Sequence, residues 1–69
     1  MGRTLKELRL AAGLTQHALA MAVGALDSQV AGWEAGRARP STKYIRPLAA
    51  ALTVSTDEVL DAIEVLAQG

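Results

Sequence analysis

TQHALAMAVGALDSQVAGWE, Thr15 to Glu34, is the stretch whose reading decides the fold. Thr15 is a good N-cap for a helix running to Val23, because its hydroxyl can satisfy an early backbone N–H. Leu19, Ala20 and Val23 fall on one face of that helix. Gly24 stops it, and a second helix is expected from about Asp27 to Ala35, with Val30 and Trp33 inward and Gly36 as terminator. Each segment is too short to be stable alone. Ala20 is small enough for another helix to cross closely, and Val30 and Trp33 are placed to fill that crossing.

Working outward, Thr4-Leu5-Lys6-Glu7 matches a capping box and opens a preceding helix that Gly13 closes. Leu5 and Leu8, with Ala12, form its apolar stripe, and Leu10 lies to one side. On the other flank, residues 36 to 42 form a polar loop containing Pro40. Pro47 would remove a hydrogen bond from a helix running unbroken from Ser41 to Leu52. The cheaper solution starts that helix near Ile45 or Arg46, with Pro47 in its first turn and residues 41 to 44 as a turn or short 3₁₀ piece. Ser55-Thr56-Asp57-Glu58 is a second capping box opening a fifth helix, whose apolar side is Val59, Leu60, Ile63 and Leu66.

The composition agrees with an all-α fold. Of 69 residues, 14 are Ala and 10 Leu, against five Val, two Ile and two aromatics, so there is little from which to build strands. One small domain, residues 1–69, is the expected organisation, with the helix pair at 15–35 inside it. No cysteine is present, which excludes a disulfide framework or a thiolate metal site. No apolar run reaches the roughly 18 residues of a membrane span, and the start has no secretory core. A cytoplasmic protein is the expectation.

The chain is a poor candidate for an enzyme. It has one His and no strand–GxxxxGK–helix phosphate loop. His17 reads as a solvent-facing residue. Glu58, Asp61 and Glu64 read as a solvated acidic face rather than a metal site. The net charge is zero, yet Arg37, Arg39, Lys43 and Arg46 cluster in ten residues, and Asp57, Glu58, Asp61 and Glu64 follow later. A basic pole and an acidic pole are expected.

Residues 15 to 34 therefore have the helix-turn-helix pattern, whose second helix enters the DNA major groove in known examples. More specifically, Gly13-Leu14-Thr15-Gln16, Leu19-Ala20, Val23-Gly24, Val30-Ala31, Trp33-Glu34, Gly36 and Pro40 resemble the lambda-repressor/Cro-like family, also called the xenobiotic-response-element family. Leu48-Ala49, Ala51-Leu52, Val54-Ser55, Asp57-Glu58 and Leu60 look like that family's last two helices. The match covers residues 5 to 60. It implies a compact five-helix domain that binds double-stranded DNA.

The resemblance also implies individual roles. Gln16 matches a phosphate-binding glutamine at a helix start, where free N–H groups favour an anion. Arg9 and Glu34 match an inter-helix salt bridge. Glu34 otherwise sits at the wrong end of its helix for a carboxylate. Were the pair exposed, it would contribute only about 0–1 kcal/mol. Arg37, Arg39 and Lys43 match backbone-contacting positions. Trp33 is core rather than a base-stacking platform.

The groove-facing helix departs from the pattern. Its outward face carries Ser28, Gly32 and Ala35, flanked by Asp27, Gln29 and Ala31, with no Arg, Lys or Asn to read bases. Leu26 stands where a capping Ser or Thr is usual. Asp27 either takes over as N-cap, the preferred reading, or faces the groove, accepting from cytosine N4 while repelled by phosphates. Ser28 and Gln29 are further hydrogen-bonding candidates, and Ala31 is placed to touch a thymine methyl. Gly32 costs the helix about 1 kcal/mol relative to Ala; close approach to the groove and a tolerated surface glycine both explain it.

About three neutralised phosphates per protomer give a dimer a log–log salt slope of roughly −5. Half-sites about 34 Å apart require a two-fold dimer. Ile63 and Leu66 are candidates for its interface and equally for the domain's own core. The expected function is a sequence-specific transcriptional regulator, most simply a homodimeric repressor, bacterial or phage-encoded and nucleoid-associated. It needs no cofactor, metal or small-molecule ligand. The alternative is a protein-interaction module on the same fold, antitoxin-like or bridging.

Overall fold

The structure, a computed structural model, describes residues 2–68, with side-chain surroundings given as far as residue 65. The described residues form five α-helices and one 3₁₀ turn, and no strand. Helix α1 is Leu5–Ala11, α2 Gln16–Val23, α3 Asp27–Ala35, α4 Ile45–Leu52 and α5 Thr56–Gln68, with the 3₁₀ turn at Thr42–Tyr44.

Local chemistry sets most of these boundaries. At α1, Glu7 N–H donates to Thr4 Oγ1 at 3.1 Å while Thr4 N–H donates to Glu7 Oε1 at 2.7 Å, a complete capping box. The Thr4 N–H bond, helped by the Thr4 hydroxyl, holds the Glu7 carboxyl below its usual range. Ala18 N–H donates to Thr15 Oγ1 at 3.0 Å and starts α2. Gly24 ends it at φ +75°, in the left-handed region that glycine enters without steric cost. Pro47 is the third residue of α4, where its missing N–H removes no intrahelical bond.

The end of α4 is less ordinary. Thr53 adopts φ 58°, a left-handed conformation that is unfavourable for a β-branched side chain. Val54 N–H reaches back to Ala49 C=O at 3.0 Å there, and Val54 packs against the core. Closure of the helix and burial of Val54 hold Thr53 in that turn. The start of α5 keeps one half of its capping box. Glu58 N–H donates to Ser55 Oγ at 3.1 Å, but the Glu58 carboxylate faces Arg3 at 3.7 Å.

One core joins all five helices. Leu5 and Leu8 of α1, Leu19, Ala20 and Val23 of α2, and Val30 and Trp33 of α3 are buried with Leu48, Ala49 and Leu52 of α4 and Val59, Ala62 and Ile63 of α5. Helix α2 packs on α3 and α4, α4 on α5, and α5 also meets α1 and α3. Several expectations are corrected here. Ala12 is exposed, as is Leu10 to one side, so the stripe of α1 is Leu5 and Leu8 joined by buried Arg9, without Ala12. Leu60 is exposed, and Ala62 takes its place in the core. Ile63 is 7% exposed and lies in the domain's own core, one of the two places expected for it. The Leu66 side chain lies outside the described residues.

Candidate nucleic-acid interface

Helices α2 and α3 are joined by Gly24, Ala25 and Leu26, and the crossing that sets their angle is filled as its residue sizes require. Leu19, Ala20 and Val30 are at most 1% exposed. With Val30 and Trp33 inward, Ser28 and Ala35 face outward and are exposed, with half-buried Ala31 beside them. Helix α3 thus presents small side chains from a rigidly seated rod.

Of its five base-contact candidates, two hold partners within the protein and a third is covered. No side chain caps α3 from Leu26; instead Gln29 Oε1 accepts the Leu26 N–H at 2.9 Å. Asp27 is therefore not the N-cap. Its carboxylate oxygens lie 2.9 and 3.0 Å from His17 Nδ1 on α2, and both side chains remain exposed. His17, read as merely solvent-facing, has a partner.

Gly32 is buried although it lies on the side of α3 opposite the core. The chain after α3 folds over it, with Arg37 and Ala38 N–H donating to Gly32 C=O at 3.0 and 3.4 Å. It is not a groove-facing residue. A Cβ added there would meet only Ala38 Cβ, at an ordinary 3.8 Å. Gly32→Ala is expected to stabilise the domain by up to about 1 kcal/mol through helix propensity. It should raise the urea midpoint while leaving any DNA retention unchanged. A lowered midpoint would mean that the loop needs closer contact than the geometry indicates.

The inter-helix pair is the most desolvated charge in the domain. Arg9 Nε donates to Glu34 Oε2 at 2.6 Å and Nη2 to Oε1 at 3.2 Å, with the two side chains 8% and 5% exposed. Arg9 Nη1 also donates to the Leu14 C=O at 2.8 Å, and Gln16 Nε2 to Glu34 Oε1 at 3.0 Å. The Arg9–Glu34 pair is thus buried, not exposed. Gln16 stands at the start of α2, its amide braced against that pair.

The basic segment is anchored by aromatics and then divided. Tyr44 packs on Trp33, with ring centroids 5.0 Å apart, and ties the 3₁₀ turn to the end of α3. Lys43 Nζ lies 5.1 Å from the Tyr44 ring centre. Arg39 instead donates to Glu64 on α5 at 2.8 Å. The basic and acidic segments are thus bridged at one point, Arg39 to Glu64, and Arg3 pairs with Glu58 of α5. Among the described residues, Arg37, Lys43 and Arg46 are exposed and make no ion pair.

The His17–Asp27 pair was not legible in the sequence. Ten positions separate the residues, a distance with no helical periodicity, and only the α2–α3 crossing brings them together. No group of three His, Asp or Glu side chains able to hold a metal ion occurs among the described residues. No described helix is long and apolar enough to cross a membrane.

A family model described as a helix-turn-helix domain matches residues 1–62. No curated protein and no solved structure matches the chain.

Proposed function

Because the chain belongs to this helix-turn-helix domain family, we propose that it is a non-catalytic, sequence-specific regulator that binds duplex DNA with α3 in the major groove. The finer assignment is to the lambda-repressor/Cro-like branch, with the unit at 15–35 inside one domain. Its simplest action is repression, a homodimer covering promoter DNA in the bacterial cytoplasm. The observation that carries this reading is an arrangement: a firmly seated helix with a small outward face, followed by Arg37 and, in the 3₁₀ turn, Lys43, cations with no carboxylate partner among the described residues.

The side-chain inventory sets the style of recognition. Ser28 is the exposed hydroxyl of the outward face, and Ala31 and Ala35 offer only methyl groups. Direct readout is therefore sparse, and specificity rests on DNA shape and deformability as well. Exposed Leu60 and Val65 on α5 are the apolar side chains we assign to the dimer surface in place of Ile63.

A gel-shift titration against random duplex DNA between about 50 and 200 mM salt tests the proposal. With Arg39 held by Glu64, two cations per protomer reach phosphates. A dimer then gives a log–log slope of about −4 and a monomer about −2. Absence of retention throughout that range would reject DNA binding. It would favour the protein-interaction module, to which the zero net charge and sparsely furnished α3 also correspond.

A further inference from the structure

Asp27 is an awkward residue to place at the leading end of a helix that enters DNA. Duplex DNA carries one negative charge per roughly 1.7 Å of its axis, so an exposed carboxylate there is repelled. Helix α2 has no acid, and the other acid of α3, Glu34, is buried on Arg9. Asp27 is thus the exposed carboxylate of the α2–α3 unit. The group within ion-pair distance of it is His17, whose side chain is 67% exposed.

The geometry determines what the imidazole offers. An ionised carboxylate only accepts hydrogen bonds, so the proton facing both Asp27 oxygens is on Nδ1. Nε2 lies on the other side of the ring and has no hydrogen-bond partner among the described residues. In the neutral ring it is an acceptor, which a phosphate cannot use. In the imidazolium it is an N–H donor, which a phosphate accepts. Imidazole is also the side chain that exchanges these two states near neutral pH. No other ionisable group lies on α2; from the elements packed on it, α3 contributes Asp27 and Glu34, the latter paired with Arg9 and bonded to Gln16, and α4 contributes Arg46, which forms no ion pair among the described residues.

We propose that His17 is a phosphate-contacting residue of the DNA interface, with Asp27 as its positioning residue, and that duplex binding takes up a proton at His17 Nε2. The inference rests on the DNA-binding reading and adds a contact to it. Asp27 thereby orients a cation instead of opposing the duplex.

Fluorescence anisotropy with a labelled duplex at pH 6 and pH 8, at constant ionic strength, tests it. A phosphate beside the ring favours its charged form, so binding should be about tenfold tighter per protomer at pH 6 than at pH 8. His17→Gln, at an exposed position, should retain the wild-type circular dichroism spectrum and bind equally at both pH values. Its affinity should match that of the wild type at pH 8. Asp27→Asn, which removes the repelled charge but keeps an acceptor for Nδ1–H, should bind more tightly than the wild type at pH 8. DNA binding that is equal at both pH values, or a pH slope that survives in His17→Gln, overturns this inference and leaves DNA binding standing. Absence of binding at both pH values overturns the DNA-binding reading and this inference with it.

Discussion

Glu34→Ala is expected to destabilise the domain by about 3–5 kcal/mol, the usual cost of removing one partner from a buried ion pair. The truncation leaves the Arg9 guanidinium buried, with the Leu14 C=O as its remaining protein acceptor, and frees the Gln16 amide from its brace. A chain of 69 residues has about 3–10 kcal/mol of stability in total at the general per-residue rate. The variant should therefore lose about a third of that stability or more. Chemical denaturation followed by circular dichroism reads this directly. The double change Arg9→Met/Glu34→Leu is the informative companion, because replacing both charges by apolar groups of similar volume is often close to neutral. Near-wild-type stability for Glu34→Ala would show that water reaches the pair in solution and that the helices do not depend on it.

Arg37→Ala/Lys43→Ala is expected to weaken duplex binding on the order of 10³-fold at 0.1 M salt. The magnitude follows from counterion release. Each neutralised phosphate contributes a salt exponent of about 0.9, roughly eightfold in affinity at 0.1 M, and a dimer loses about four such contacts. The same double variant should flatten the salt slope from about −4 towards zero. Both side chains are exposed, so the fold should be retained, and a normal denaturation curve would verify that the loss is one of contacts. An unchanged slope would place the DNA on another face. Arg39→Ala is a useful contrast, since that side chain is held by Glu64 and its removal should change the slope much less.

These two expectations draw on different kinds of information. The helix boundaries were legible because their causes are local: a Thr hydroxyl reaches an N–H three residues on, a glycine enters the left-handed region, and a proline avoids a helix interior. The turn Thr42–Tyr44 and the start of α4 at Ile45 followed from Pro47 in this way. The end of α4 was harder to read, because Thr53 turns where glycine would be usual, under closure and burial that involve Ala49 and Val54. The Arg9–Glu34 pairing came from resemblance, supported by the unfavourable place of the Glu34 carboxylate in its helix dipole, and its burial was not legible at all. Burial is decided by how α1, α2 and α3 close around the pair.

The amino-acid order by itself determined an all-helical domain with five short helices, the crossing of the second and third, and the positions of the cations beyond the third. Periodicity and caps act within a turn or two of chain, so they are written in neighbouring residues. Only the tertiary structure decided which charges remain available. It turned Arg39 towards Glu64, joined His17 to Asp27, covered Gly32 with residues 37 and 38, and put Ile63 inside the core. Each of those outcomes involves groups brought together across helices, and a side chain's charge or polarity does not say which distant neighbour the packing will set beside it.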